Sequence, residues 1–454
     1  MEEIEISSEN KSSKAKERNW KKFLKMYLVL GVLFLIMFTM RSTLTGLQMF
    51  VPYISLSIGE PVEIIVIMFI IYSSVAAVFS LLVGPITERI GYKIIMNVGM
   101  FTFAIAIMLI SIAPKFWLMC VGEAIAGFGG ACFGTGVIAY AGDYFPKKYL
   151  STAIGLIMSA FYVGTIVAVP LIALVAEKLV WRWGLGIMAI LSFIVFVLIL
   201  LIVPRIKGKK SKHLEVEVSE EFDEIENERI NEPKDQTYFT RMKIVLQNKY
   251  ALGTFFITLF QRGGLFGMIT LLSTWLDQDN FWNGFEYGLS KTQIGLIFLG
   301  SGVASLVSNT IFSYIADRIG RRKIILIGTS LTGLSIGVFP LVGELTRNIP
   351  LTIFGIMVIN FFGGIAMGSY NAFVTQVAPK SKGTVVAINN SFGQISQLIA
   401  NALIATFVWN LTGNYAYCSL VALGLFIIAV ILMYFIIKPE SFFEQRNLES
   451  NSIM

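Results

Sequence analysis

The sequence predicts an all-α membrane protein, with twelve transmembrane helices in two pseudo-symmetric six-helix bundles. Three observations carry that expectation. First, 55% of the 454 residues are hydrophobic and only 14% are charged, against about 25% charged in soluble proteins. With a mean hydropathy of +0.72, the outer surface itself has to be apolar, so lipid is the solvent. Second, apolar runs long enough to cross a bilayer, roughly 20 residues each, recur twelve times along the chain. Third, the longest polar segment follows the sixth run and splits the twelve into equal halves. Within such runs only a helix satisfies every backbone hydrogen-bonding group internally.

Residues 1–26 are polar and mixed in charge, with no apolar run before a small-residue cleavage site. They are expected as a cytosolic tail and not as a leader. Spans follow at 27–52, 62–84, 94–113, 116–141, 150–175 and 184–203, making an N-terminal bundle over 27–204. Residues 205–248 open with Arg205, Lys207, Lys209 and Lys210 and then carry ten acids between Glu215 and Asp235. This composition cannot bury enough apolar area to fold alone, so a mobile cytosolic linker is expected. Spans at 249–275, 292–315, 323–343, 349–377, 383–411 and 415–437 make a C-terminal bundle over 249–437, with a cytosolic tail at 438–454.

Orientation follows from the basic residues. With the N-terminus inside, cytoplasmic segments hold 29 of the 36 Lys and Arg residues, exterior loops hold five, and two lie within spans. Positive charge gathers in cytoplasmic loops, so both termini are expected there and the cell membrane is the expected location. The net charge of +7 needs no nucleic-acid partner once this asymmetry accounts for it. Cys120, Cys132 and Cys418 all fall in apolar runs. They are too few for a disulfide framework or metal cluster and read as packing residues.

An internal repeat sharpens the picture. After span two comes Gly84-Pro85-Ile86-Thr87-Glu88-Arg89-Ile90-Gly91-Tyr92-Lys93, and after span eight Ser313-Tyr314-Ile315-Ala316-Asp317-Arg318-Ile319-Gly320-Arg321-Arg322. The two align without a gap at an offset of 229, sharing acid-Arg-Ile-Gly and a base two residues on. Carboxylates there can meet bases and helix N-termini, and the glycines permit a tight reversal. The positive-inside bias alone explains the bases but not the matched acid and glycine. This signature resembles the short cytoplasmic loop of the major facilitator superfamily, present in both halves. Asp143-Tyr144-Phe145-Pro146 with Lys147 and Lys148, and Trp181-Arg182-Trp183 before span six, are similar to loops that members carry at those places. The resemblance implies the major facilitator fold and a gating latch formed by Gly84, Glu88, Arg89, Gly91, Asp317, Arg318, Gly320, Arg321 and Arg322. The first copy has Glu88 for the usual Asp and Tyr92 for Arg, so a weaker latch is expected in that half. The stretch Gly164–Leu171 in span five lacks the Gly-Pro-x-x-Gly-Gly run of the drug:proton antiporters, which counts against drug efflux.

Charge inside a span costs roughly 2.5–3.5 kcal/mol per residue, and only Arg41, Glu123 and Arg262 lie well inside one. Arg41 in span one and Arg262 in span seven both fall about 20 Å from the cytoplasmic ends, near the midplane, on counterpart spans. Carriers of this architecture bind substrate there. Two guanidinium forks suit a carboxylate or phosphate in paired hydrogen bonds. Structural pairing is the competing reading. Arg41 could bond Glu123, whereas the second half offers Arg262 no acid within any span. Paired arginines in these spans resemble the anion:cation symporters and organophosphate:phosphate antiporters, and Arg41-Ser42-Thr43-Leu44-Thr45-Gly46 resembles monocarboxylate-type carriers. Glu123 is also a candidate to take and release a coupled proton.

Asn390, Gln394, Gln397 and Asn401 recur at helical spacing as one stripe in span eleven, and span one repeats this with Arg41, Thr45 and Gln48. Amides facing lipid would be expensive, so the stripe faces either a water-filled cavity or a partner helix. Tyr162, Thr165, Asn360 and Asn371 are weaker candidates. Gly122, Ala126, Gly130 and Gly134 in span four form a small-residue face for close helix approach. His213 gets no role, and Asn410-Leu411-Thr412 is a glycosylation triplet only if topology permits.

No phosphate-cradling loop, metal cluster or nucleophile–base pair is present, so no enzyme activity and no cofactor or metal is expected. The expected function is secondary active transport, as symporter or antiporter, of a small organic anion by alternating access. Export of a hydrophobic or cationic compound is the alternative, and a non-transporting membrane receptor on the same fold is a third. The expected partners are a small-molecule substrate and the lipid bilayer, with no nucleic acid, and the carrier is expected to work as a monomer.

Overall fold

The computed structural model describes residues 2–145, 147–205, 238–277, 288–377 and 382–437. Twelve of its helices are long and apolar enough to cross a membrane. In chain order they are α1 Leu24–Met49, α2 Val62–Val83, α3 Tyr92–Ile112, α4 Phe116–Gly142, α5 Ala153–Lys178, α6 Trp181–Ile202, α7 Lys249–Leu276, α8 Lys291–Ala316, α9 Arg321–Thr346, α10 Ile349–Asn371, α11 Thr384–Thr412 and α12 Tyr415–Ile436. The ends agree with the hydropathy runs to within three residues except in α10. Its apolar stretch stops at Asn371, although the helix continues to Gln376. An even number of spans puts both chain ends on one side, called here the terminal face.

The halves meet along two seams, α2 against α11 and α5 against α8, with α1 beside α7 between them. Within the first half α3 and α4 approach most closely at paired glycines. A Cβ on Gly99 would lie 2.7 Å from the Gly129 carbonyl oxygen, and one on Gly129 would lie 2.7 Å from that of Gly99. The small-residue face of α4 is used as expected at Gly122, against Ile110, and at Gly130, beneath Tyr72, whereas Gly134 has open space beside it. Large apolar side chains such as Leu201 and Leu345 stand on the outer surface, as lipid contact requires.

The 229-residue repeat is three-dimensional. Gly91 and Gly320 adopt nearly the same backbone, φ 98° and ψ 146° against φ 102° and ψ 128°, a region in which a side chain is strained. Each caps its helix by donating its N–H back four residues, to the carbonyls of Thr87 and Ala316. Two residues on, Lys93 Nζ donates to the Leu200 carbonyl at 2.8 Å and Arg322 Nη2 to the Tyr434 carbonyl at 3.3 Å. The base of each copy therefore ties the third span of its half to the end of the sixth, where unpaired carbonyls attract cations. Arg318 stacks on the Tyr314 ring, 4.5 Å from its centroid, and donates to its hydroxyl. Arg321 heads the α9 helix. Gly84, Glu88 and Arg89 occupy the last turns of the helix containing α2, and Asp317 the last turn of the α8 helix. Their side chains lie outside the described residues.

Two features differ from expectation. Ten residues near the end of the expected linker, Tyr238–Gln247, form a helix. It buries Val245 and Met242 against Ala251, Phe255 and Val385 at the base of the second half, because this stretch is amphipathic while the acidic run before it is not. Residues 206–237 and 438–454 lie outside the described residues. In addition, α5 and α11, counterpart spans, each contain a π-helical stretch, Gly164–Ala168 and Asn401–Val408.

Candidate functional site

Arg262 stands at the middle of α7 and Arg41 in the opposite-face half of α1. Both lie deep in the protein yet keep accessible surface, and neither bonds a carboxylate among the described residues. Tyr162 of α5 is the ionisable neighbour of Arg41, and Tyr370 of α10 that of Arg262. The Arg262 guanidinium rests on Gly393 of α11. A Cβ there would collide with Nη1 and lie 3.3 Å from Cζ. Glycine at this position is what lets the fork lie flat against the helix.

The competing pairing of Arg41 with Glu123 is not made among the described residues. Glu123 is 1% exposed, and neither of its carboxylate oxygens has a hydrogen-bond partner among the described residues. It lies in the opposite-face half of α4 near Tyr72 of α2, whose hydroxyl is buried and also unpartnered among the described residues. Glu123 lies seven positions into α4 from the opposite face and Arg41 eight positions from that end of α1, so depth does not separate them, and the ionisable neighbour of Arg41 is Tyr162 of α5.

The polar stripe of α11 divides by depth. Thr258 donates to Asn389 Oδ1 at 2.6 Å, placing that side of α11 against α7. Ser391 donates to the Ala77 carbonyl at 2.8 Å, placing another side against α2. Asn390, Gln394, Gln397 and Asn401 run between these two contact faces, toward the seam between the halves. Asn390 and Gln394 keep accessible surface, although Gln394 Oε1 is buried without a partner among the described residues. Gln397 is nearly buried and Asn401 fully so. Asn401 Oδ1 accepts from Thr270 at 2.9 Å, and Thr270 Oγ1 faces Gln48 Nε2 at 3.4 Å. Gln48, Asn401 and Thr45, offered by sequence as substrate contacts, are buried in this conformation. The Thr45 hydroxyl is buried without a partner among the described residues. The reason is that the opposite face is shut above them. Ser273 donates to the Gln48 carbonyl at 2.8 Å, Tyr53 donates to Asp277 Oδ1 at 2.9 Å, Lys291 Nζ lies 4.5 Å from the Tyr53 ring centroid, and the Thr292 N–H donates to Glu177 Oε2 at 3.1 Å.

Sequence reasoning did not single out Thr258, Tyr370 or Asn389. The Tyr370 hydroxyl contacts Thr258 Oγ1 at 2.9 Å and donates to the Thr254 carbonyl at 2.6 Å, so α7, α10 and α11 are joined by one buried chain beside Arg262. Thr254 and Thr258 recur four apart on α7, which was the available signal. Of the weaker candidates, Tyr162 donates across the seam to Met367 Sδ at 3.5 Å, Thr165 is buried, Asn360 donates to the Ile356 carbonyl at 2.9 Å, and Asn371 is exposed.

Two six-helix bundles enclosing Arg41 and Arg262, neither bonded to a carboxylate among the described residues, have the architecture of a membrane transporter. The chain belongs to the Major Facilitator Superfamily, whose profile it matches over residues 32–284 and 280–451. It is 22% identical over 446 residues to the Uncharacterized MFS-type transporter YwfA of Bacillus subtilis (strain 168), covering 98% of this chain and 99% of that one. It is 24% identical over 373 residues to the class E tetracycline resistance protein of Escherichia coli, covering 80% and 84%. The fold superposes on the crystal structure of a point mutant of the nucleoside transporter NupG with a TM-score of 0.69 at 14% identity, covering 90% of this chain and 100% of that one.

Proposed function

We propose that this transporter moves a small organic anion, a carboxylate or phosphate ester, by alternating access between its halves, with Arg41 and Arg262 as the anion clamp. The observation that supports this most is Arg262 itself. It is a guanidinium at the midpoint of a membrane-spanning helix, partly accessible, laid on a glycine and bonded to no acid among the described residues. A cation so placed is stabilised when a bidentate anion arrives. Asn390, Gln394 and Gln397 line the approach. Thr45, Gln48 and Asn401 join them when the opposite face opens. The terminal face is the cytoplasmic side on the basic-residue count, and the latch loops close that side in the other state of the cycle. Proton coupling is assigned to Glu123, an acid 1% exposed within α4, neither of whose carboxylate oxygens has a partner among the described residues.

The test is Arg262→Lys in reconstituted vesicles, with uptake measured across carboxylates and phosphate esters. The charge persists and the fork is lost, so kcat/KM should fall by at least about tenfold at an unchanged melting temperature. Wild-type transport by that variant would sink the proposal. A second reading, export of a hydrophobic compound, is favoured by the likeness to a tetracycline resistance protein. In that case Arg262→Lys leaves transport intact.

A further inference from the structure

The carboxamides of α11 fall into two groups. Those turned to α7 are committed, with Asn389 Oδ1 accepting from Thr258 at 2.6 Å and Asn401 Oδ1 accepting from Thr270 at 2.9 Å. Asn390, Gln394 and Gln397 are uncommitted. None of the three makes a hydrogen bond among the described residues, although Gln397 is nearly buried and Gln394 Oε1 is buried outright. Polar groups so enclosed are as a rule paired, and a run of unpaired carboxamides within two helical turns calls for a reason.

Their place relative to Arg262 supplies one. The guanidinium rests on Gly393. Asn390 stands three positions before that glycine and Gln397 four after it, in a continuous α-helical stretch. Such positions share one face of a helix, with Cβ atoms about 5–6 Å from the place a Cβ at the central position would take. The fork occupies that place, so Asn390 flanks it toward the terminal face and Gln397 toward the opposite face. Gln394, next to Gly393 in the chain, keeps accessible surface as Arg262 does.

A guanidinium only donates hydrogen bonds, and a carboxylate or ionised phosphate only accepts them. Fork and anion therefore satisfy each other and leave the carboxamide oxygens without a donor. The partner missing at Gln394 Oε1 is an N–H or O–H group. An ammonium is disfavoured there, because it would stand beside the Arg262 charge, which bonds no carboxylate among the described residues, and like charges repel. A hydroxyl is neutral, donates to Oε1 and also accepts from a carboxamide N–H.

We infer that Asn390, Gln394 and Gln397 form a hydroxyl-reading subsite beside Arg262, which makes the preferred cargo a hydroxylated organic anion, with hydroxyl groups on the carbons nearest its carboxylate or phosphate. The inference rests on the anion reading of Arg262 and narrows it, placing alkyl acids and alkyl phosphates below their hydroxylated counterparts of equal carbon count. Each hydrogen bond made to a group otherwise left unpaired tightens binding by roughly two- to tenfold.

The probes are carbon-matched pairs titrated against the full chain in nanodiscs by calorimetry, butanoate against trihydroxybutanoate and propyl phosphate against glycerol phosphate. Affinity should rise at least about tenfold within each pair. In Gln394→Leu, or in Gln394→Met should the first fail to fold, the ratio should fall by at least about threefold, and Asn390→Leu should lower it in the same direction. The ratio is the readout because a variant that only disturbs the fork weakens both members of a pair alike. Equal or tighter binding of the alkyl member in the wild type overturns the subsite and leaves the anion clamp standing. A ratio that persists in every variant overturns it as well, since the hydroxyls are then read elsewhere. Tighter binding of α-aminobutanoate than of α-hydroxybutanoate would put an ammonium at Gln394 and overturn the hydroxyl assignment. If Arg262→Lys binds trihydroxybutanoate as tightly as wild type, the carboxamides serve a neutral polyol and the hydroxylated-anion inference falls. Failure of all these carboxylates and phosphates to bind removes the clamp itself, and the inference with it.

Discussion

Gly393 decides how Arg262 can be used. The fork lies where a Cβ would be, and its displaced atoms are the far end of a flexible side chain, so Gly393→Ala should fold. The guanidinium must then move by part of an ångström or more, and misplacement on that scale costs up to roughly a hundredfold in a positioned interaction. Anion transport by Gly393→Ala is expected to fall between about tenfold and a hundredfold, with a melting temperature within about 4 °C of wild type. Vesicle uptake and a thermal melt check both. Glu123 calls for a different measurement. Its oxygens have no protein partner among the described residues, so Glu123→Gln breaks no ion pair and should fold. Proton-driven accumulation should be lost while substrate exchange continues, and undiminished accumulation would remove Glu123 from coupling. The arginines and Glu123 were legible in sequence because a charge in an apolar run stands out one residue at a time. Their neighbours were not. Whether Arg41 meets Glu123 or Tyr162 depends on how helices rotate against one another, and the periodicity of a single span carries no information about its partner.

Elements were legible where the physics is local. A bilayer demands roughly twenty apolar residues per crossing, so hydropathy alone located all twelve spans, and the matched loops at offset 229 announced the duplication. The π-helical stretches of α5 and α11 were not legible. The α5 stretch begins at a close contact in the assembled bundle, Gly164 against Ser42 of α1, where a Cβ would lie 2.9 Å from the hydroxyl oxygen. The helix Tyr238–Gln247 was hidden by the acidic run before it. Gly320 lends itself to a prediction at this scale. Its backbone, at φ 102°, is strained for any residue with a side chain even though nothing crowds it, so Gly320→Ala should cost about 1–3 kcal/mol. The expected result is a lower melting temperature, and no change would mean that the α8–α9 turn relaxes freely. Gly129→Leu tests packing instead. A leucine must displace the α3 backbone, so that variant should be destabilised by about 1–3 kcal/mol or more.

Across the whole molecule, the described contacts between halves include a set on the opposite face that is absent from any arrangement open there. Tyr53 of the helix after α1 reaches Asp277 at the end of α7, Ser273 reaches back to the Gln48 carbonyl, and Glu177 holds the start of α8. If the bundles rock about their seams, these bonds exist only in the state closed on this face, so each biases the equilibrium toward it. Tyr53→Phe removes one such bond and keeps the ring over which Lys291 lies. A hydrogen bond of this kind contributes about 1 kcal/mol, which corresponds to a shift of roughly fivefold toward the state open on the opposite face. The sign follows because the lost bond stabilised only the closed state, while the ring contact with Lys291 survives the substitution. A cysteine placed at Thr45, in a chain whose Cys120, Cys132 and Cys418 are replaced, reports the change. Thr45 is buried in the closed state, and a membrane-impermeant thiol reagent applied to the opposite face should label the cysteine about five times faster when Tyr53 is replaced by Phe. Equal labelling rates would mean that Tyr53 and Asp277 stay together throughout the cycle, and that this contact belongs to a hinge rather than a gate.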